Sequence, residues 1–250
     1  MYKEKLKKID LLQKEINSYR PLAKKELHEL KEYFRIGLTY TSNALEGNSL
    51  TETETKIVLE EGITIGGKLI KDHLETIGSS DAYDLIYKLA KRTNIEEKDI
   101  LNLQKLFYFR IDPKQAGKYR KIQVFISGTE FIPPAAHEIP KLMKKFSQEI
   151  TTLKEKYHPV EYAALLHLKL VTIHPFVDGN GRTARLLMNL ALMQESYPIT
   201  IIPPIVRREY IDAIKKSQTD NDDNQFINFI ASMVYESQKE YIRMLKALRE

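Results

Sequence analysis

Residues 174–185 read HPFVDGNGRTAR, and a helical pattern, LLMNLALMQ, follows at once. One helix start thus gathers a histidine, a carboxylate, two glycines flanking an asparagine, and two arginines. Gly179-Asn180-Gly181 can adopt the backbone angles that turn successive N–H groups toward one point, an anion nest. The helix beginning near Arg182 adds its own free N–H groups and the positive end of its dipole. Arg182 and Arg185 supply full charges with donor forks suited to phosphate oxygens. Asp178 sets a carboxylate beside that phosphate, an arrangement that becomes favourable with a bridging cation, usually Mg²⁺. His174 ends the preceding helix and can act as a neutral base near pH 7. A plain helix–loop–helix corner would explain the glycines and the aspartate, but not His174 and both arginines. The stretch reads as a site for a Mg²⁺-polyphosphate with a base beside it, held between two helices.

Outward from that corner the pattern stays helical. Leu6, Ile9, Ile16 and Tyr19 fall at helical spacing, and Leu27, Leu30 and Phe34 continue after Pro21. The second helix should run into TYTSNALEG and stop at Gly47, a natural residue for the left-handed position past a helix end. Thr51 and Glu54 form a capping-box pattern that opens a helix ending before Gly62. Further helices are expected near 72–91, 96–109, 137–156, 159–173, 182–195, 207–218 and 224–248. KIQVFISGTEFIPP, residues 121–134, breaks the pattern: it is β-branched and aromatic, with Ser127-Gly128 at its middle and two prolines at its end. It reads as a short β-hairpin lying against a helical body. A soft boundary falls near 92–98.

Composition narrows the class. The chain has 250 residues, 42% hydrophobic and 29% charged, which suits a globular protein with a sizeable core. Cys is absent, so disulfides and thiolate metal sites are excluded. The N-terminus lacks the apolar core of a secretory signal, and no apolar run approaches a membrane span. The expected location is the cytoplasm. The formal net charge of +5 fits an anionic ligand but is weak evidence for nucleic acid, because most lysines alternate with glutamates on helical faces.

Two glycine patterns fail on context. Gly62, Gly67 and Lys68 match a phosphate-loop spacing, but Leu69 stands where the Mg²⁺-binding hydroxyl belongs and a helix precedes it. Gly179, Gly181 and Ala184 match a dinucleotide spacing without the strand that motif needs. His28, His73, His137 and His158 have no zinc spacing. His167, seven residues before His174, is read as structural.

HPFVDGNGRTAR resembles the signature of the Fic (Fido) family, H-P-F-x-[DE]-G-N-G-R-x-x-R, with every specified position present. The likeness extends over roughly residues 33–240 and is close to animal Fic AMP-transferases, whose membrane and tetratricopeptide segments have no counterpart in these residues. It implies an all-α Fic fold with a short β-hairpin flap. The implied organisation is an N-terminal helical module over 1–95, a core over 96–240, and a C-terminal helix over 224–250. It further implies transfer of AMP from ATP to a Ser, Thr or Tyr hydroxyl of a target protein, or of the chain itself, with Mg²⁺ (or Mn²⁺) as cofactor.

In that scheme His174 takes the hydroxyl proton and Asp178 holds the metal. Gly179, Asn180, Gly181, Arg182 and Thr183 cradle the phosphates, with Asn180 on the α-phosphate and Arg185 on the γ-phosphate. Tyr210 and Gln218 fall at adenine-side positions. Val124, Phe125, Ile126, Ser127 and Gly128 form the flap that clamps the target segment. Ser42, Glu46 and Gly47, in SNALEGN, resemble the family's inhibitory signature, on a helix near 33–47. Physically, a Glu at that helix end would occupy Arg185 with a bidentate pair. Relatives with this motif also suggest removal of AMP as a second reaction. A homodimer is compatible with this reading; a membrane partner is not expected. Two rivals stay open. The same site could move UMP, phosphocholine or phosphate, although the intact GNGR favours AMP. Alternatively, the chain could be a basic helical module binding nucleic acid or a partner, with salt-steep affinity and no use for His174.

Overall fold

A computed structural model describes residues 2–249. Ten α-helices follow one another: α1 (Tyr2–Ser18), α2 (Lys24–Ala44), α3 (Glu52–Glu60), α4 (Ile70–Leu89), α5 (Glu97–Tyr108), α6 (Ile139–Lys156), α7 (Pro159–Ile173), α8 (Asn180–Gln194), α9 (Arg207–Asp220) and α10 (Asn224–Ala247). Short 3₁₀ turns at Ala136–Glu138 and Pro204–Val206 lead into α6 and α9. The fold is all-α, as the sequence periodicity requires, and Thr51 and Glu54 close the expected capping box on α3.

The centre is the α7–α8 pair. Both helices are apolar on most sides, with Ala163, Leu166, Leu170, Ala184, Leu187 and Leu190 fully buried, and a helix of that kind must lie inside. Around it α6 packs on α7, α5 and α4 pack on α8, and α10 packs on α7 while α1 lies along α10. α2 touches α4, α8 and α10. One hydrophobic core runs from Leu6 to Leu245 and draws residues from both sides of positions 92–98. Gly78 permits the closest approach in this shell: a Cβ there would sit 2.4 Å from the Phe107 carbonyl oxygen on α5. No helix among the described residues is long and apolar enough to cross a membrane.

Residues 121–134 depart from the hairpin expected of them. The turn forms at Ser127–Gly128, with Gly128 at φ +78°, but no strand pairing is present among the described residues. Pro133 and Pro134 remove two N–H donors from the second arm, and two isolated strands are marginal in any case. The arms are joined instead by a side chain, Gln123 Nε2 donating to the Pro133 carbonyl at 3.0 Å.

Candidate active site

α7 ends at His174, which takes the left-handed conformation at φ +52° and donates its N–H to Leu170 O at 2.9 Å. Nδ1 lies 3.2 Å from Val171 O. A carbonyl can only accept, so Nδ1 carries the hydrogen and Nε2 is left as the basic nitrogen. Burial pushes the imidazole pKa below its usual value, and the nearby Arg120 charge acts the same way. Buried Arg120 donates Nε to His174 O (2.8 Å), Nη1 to Ile122 O (2.9 Å) and Nη2 to Pro134 O (2.5 Å). One guanidinium therefore ties the histidine's backbone to both ends of the 122–134 segment.

Asn180 closes the loop that follows. Its Oδ1 accepts from Phe176 N and its Nδ2 donates to Phe176 O, both at 2.9 Å. Both ends of the amide hold the loop, which leaves the Asn180 backbone N–H as the group it can offer a ligand. Thr183 is likewise turned inward, fully buried with its hydroxyl unpartnered. Gly179 adopts φ +82°, and a Cβ there would lie 2.7 Å from the Phe107 ring. No side chain caps the α8 N-terminus, so its first-turn N–H groups remain open to an anion.

The carboxylates and arginines around that terminus are interleaved. Asp178 Oδ1 accepts from Gly179 N (2.6 Å) and Arg182 Nη2 (3.1 Å), while Oδ2 lies 3.7 Å from Lys71. Arg182 Nη1 is 3.0 Å from Glu75 on α4, and the guanidinium sits 4.0 Å over Phe107. Glu75 in turn accepts from Asn48, two residues past Glu46, at 2.9 Å.

Glu46 lies at the open N-terminus of α8. α2 ends with Gly47 N–H donating to Ala44 O and Asn48 N–H to Asn43 O, both at 3.1 Å. This is the Schellman arrangement, with Gly47 left-handed at φ +92°. It aims Glu46 at α8, where a Cβ on Gly181 would meet Glu46 Oε1 at 2.2 Å. Arg185 Nη2 donates to the same oxygen at 2.7 Å. The pair is single rather than bidentate, because Ser42 takes the neighbouring donors: Nε to Ser42 Oγ (2.9 Å) and Nη2 to Ser42 O (2.8 Å). Burial alone would raise the Glu46 pKa, but the Arg185 and Arg182 charges outweigh it and hold the carboxyl below its usual value. Gly47→Val should destabilise this helix end through backbone strain alone, since no atom lies within 4 Å of the new Cβ. A loss of about 1–2 kcal/mol in urea unfolding is expected, and an unchanged midpoint would argue against the strained turn.

A cavity of about 630 Å³ opens beside these groups. His174, Asp178, Gly181 and Glu46 line it together with Tyr210, Ile211, Ile214 and Gln218. Ile126, Ser127 and Gly128 form its lip, whereas Phe125 points outward at 78% exposure and Val124 does not line the cavity. The Tyr210 hydroxyl accepts from Arg185 Nη1 at 3.2 Å and lies 2.7 Å from His167 Nε2. Complete burial, with Arg185 close by, pushes the His167 pKa well below its usual value. A neutral His167 pairs with the Tyr210 hydroxyl and so orients the phenol that supports Arg185. Sequence reading missed Arg120, Glu75 and Arg207, whose Nε donates to Leu45 O at 2.8 Å and steadies the end of α2. All three are charged residues in stretches that resemble solvated surface.

The fold and site together define a helical protein with an uncapped helix N-terminus and a histidine of lowered pKa beside it. Comparison with known proteins is specific. The Fic/DOC family profile matches residues 94–192. A fragment of Fic-1 from C. elegans superposes with a TM-score of 0.88 at 30% identity, covering 98% of this chain and 73% of that one. A Fic-domain-containing signalling protein from Bacteroides thetaiotaomicron gives 0.88 at 29% identity, covering 96% and 97%. The protein adenylyltransferase Fic of Drosophila erecta is 40% identical over 215 residues, 84% of this chain and 41% of that protein. The chain therefore spans less than half the length of that curated relative. It belongs to the Fic/DOC family.

Proposed function

We propose that this chain transfers AMP from Mg²⁺-ATP to a hydroxyl side chain of a target protein, and to itself, and that Glu46 holds it in check. The observation that carries the reading is Glu46 Oε1 lying against Gly181 at the uncapped α8 N-terminus and on Arg185. An internal carboxylate fills the position where a phosphate would bind, next to a neutral imidazole. His174 Nε2 takes the proton from the incoming hydroxyl, whose oxygen attacks the α-phosphorus as pyrophosphate leaves. The α8 N–H groups stabilise charge developing on the α-phosphate, and Arg185 binds the γ-phosphate once Glu46 has moved. The apolar face of Ile211, Ile214 and Tyr210, with Gln218 at its edge, suits adenine. Residues 1–95 supply the restraint and 96–240 the chemistry.

No cluster of three or more His, Cys, Asp or Glu able to hold a metal occurs among the described residues. A single partly exposed carboxylate beside an anion nest is nevertheless the donor set Mg²⁺ uses with a polyphosphate. Asp178 would hold it, and when bound it neutralises charge on the leaving pyrophosphate. Residues 126–129 would clamp the target backbone by strand-like pairing. Glu46 Oε2 has no hydrogen-bond partner among the described residues while Oε1 is held by Arg185, which favours a second reading for the same carboxylate: aligning a water to remove AMP. Intact-mass measurement after incubation with ATP, and separately with UTP and GTP, tests the proposal. One AMP adduct formed from ATP alone is the expected outcome; a phosphate adduct, or none from the Glu46→Gly protein, would overturn it.

Two further results should follow. Because His174 has a lowered pKa, kcat/KM for transfer should be flat between pH 7 and 8 and fall only below the ordinary histidine value of about 6.5. The sign is fixed: the active form is the unprotonated one, so activity is lost as pH drops through the folded pKa. A midpoint above 6.5 in the pH–rate profile would remove His174 from the base role. Second, Arg182→Ala and Asp178→Ala should each weaken Mg²⁺-ATP binding by about tenfold or more, close to 1.4 kcal/mol. The first leaves Asp178 and Glu75 unneutralised beside a polyphosphate, and the second removes the metal's carboxylate. Calorimetry giving wild-type affinity for both would mean the anion site is misassigned.

A further inference from the structure

The connection between α5 and the 3₁₀ turn at Ala136–Glu138 carries Arg110, Lys114, Lys118, Arg120 and Lys121 against Asp112 and Glu130. Three of the chain's five excess positive charges therefore lie on this one segment. Two of its cations are internally engaged, Arg110 by Asp81 and Arg120 by three carbonyls. Two carboxylates in or bonded to this segment have other partners: Asp112 accepts from Lys114 N and Gln115 N, and Glu97 accepts from the Tyr119 hydroxyl. Lys114, Lys118 and Lys121 are exposed and form no ion pair among the described residues.

These three lysines line a groove of about 220 Å³ together with Tyr119, Ile122 and Val177. Its position matters as much as its charge. Val177 precedes Asp178, and Ile122 stands at the base of the arm whose far end, Ile126–Thr129, forms the lip of the His174 cavity. A chain lying along that arm from residue 126 to residue 122 would cover roughly 13 Å, about four residues of extended peptide. The arm has no ladder partner and exposes Ile122 at 63% and Phe125 at 78%, so it offers apolar contact and backbone pairing along the route.

We propose that this groove selects protein targets with an acidic segment about three to six residues to one side of the modified hydroxyl. The inference rests on the AMP-transfer reading only for the identity of the site it adjoins. A nucleic acid is the poorer occupant: the groove has no free arginine, its floor is apolar, and its one aromatic, Tyr119, is tied to Glu97. For an acidic peptide the three lysines supply steering and register, and the flap supplies the contact area.

The test separates binding from chemistry. Fluorescent peptides with a central Ser and either four Asp or four Lys on one flank are titrated onto the full wild-type chain by anisotropy. The acidic peptide should bind at least tenfold more tightly, and its affinity should fall as salt rises because the lysines are exposed. The triple variants Lys114→Glu/Lys118→Glu/Lys121→Glu and Lys114→Ala/Lys118→Ala/Lys121→Ala should both lose that preference while binding Mg²⁺-ATP normally, which also reports an intact fold. Equal affinity for the two peptides, or a preference that survives both triple variants, overturns the proposal. So does an oligothymidylate that binds as tightly as the acidic peptide and displaces it. If the acidic peptide binds as expected but the Glu46→Gly protein never adds AMP to it or to itself, the docking surface stands and the transfer reading fails.

Discussion

His174→Ala should reduce AMP transfer by about 10²–10⁴-fold, the range a positioned general base contributes, while Mg²⁺-ATP binding stays close to wild type. The separation follows from where the imidazole sits. Its Nδ1 is committed to Val171 O, and its Nε2 faces the cavity without touching the arginines that would hold the phosphates. The loop should survive the substitution, because Arg120 grips the His174 carbonyl and Asn180 grips the Phe176 peptide, and neither contact uses the imidazole. Alanine meets at position 174 the same left-handed backbone that histidine already adopts, so the substitution adds little backbone strain. Labelling assays in the Glu46→Gly background, paired with calorimetry on ATP, read the two effects separately. Near-wild-type labelling would take the base role away from His174; loss of ATP binding would show that the imidazole shapes the nucleotide site instead.

The helices were readable because their cause is local. Periodicity, the Thr51 capping box, and the glycine past SNALE each act within a few residues, and α2, α3 and α7 begin and end close to where those signals put them. The gathering of His174, Asp178, Gly181 and Arg185 was readable for the same reason: one loop and one helix turn carry them all. What the sequence hid depends on approach between distant segments. Arg120 lies 54 positions from the carbonyl it holds and sits in KYRK, indistinguishable from a solvated basic run. Glu75 sits in a helix whose pattern gives no hint that α8 buries one face of it against Arg182. Asn180 was legible as a residue but not as a contact, since only the folded loop brings both polar groups of Phe176 to its amide. The 121–134 segment shows the opposite limit. β-branched and aromatic residues marked a break in the helical pattern, but the hairpin read from them does not form, because pairing also needs donors and Pro133 and Pro134 remove two of them.

Glu75 also bears on how the restraint is held. One oxygen faces Arg182 and the other accepts from Asn48, so the turn carrying Glu46 is anchored to the same arginine that neutralises Asp178. Metal and nucleotide arriving at Asp178 would redistribute that charge, and the Glu46 turn is the neighbour that would feel it. Ser42 and Arg207 act from the other side, on Arg185 and on Leu45 O. Glu46 is thus fixed by a helix end tied to Glu75, Arg185 and Arg207, while its own grip on the site is one hydrogen bond to Arg185.

That asymmetry sets the expected result for Glu46→Gly. Removing the carboxylate breaks one contact to Arg185 but leaves the guanidinium supported by Ser42 and Tyr210, so it keeps its place beside Gly181 and becomes available to a γ-phosphate. The α8 N-terminus loses its resident anion at the same time. Self-labelling from ATP should rise by at least about tenfold, equivalent to roughly 1.4 kcal/mol of barrier. Lowering pH should not imitate the substitution in the physiological range. The Glu46 pKa is held below its usual value, so the charged pair persists down through the ordinary carboxylate range near pH 4 and weakens only beneath it. Arg185→Ala should abolish transfer in both backgrounds, because the γ-phosphate then has no partner whether or not Glu46 is present. If Glu46 also aligns water through its free Oε2, the variant gains transfer and loses removal of AMP from a modified target together. Self-labelling that stays at the wild-type level in Glu46→Gly, with Arg185→Ala still inactive, would mean the Glu46–Arg185 pair restrains nothing. A gain in transfer with undiminished AMP removal would keep the restraint and assign the water to another group.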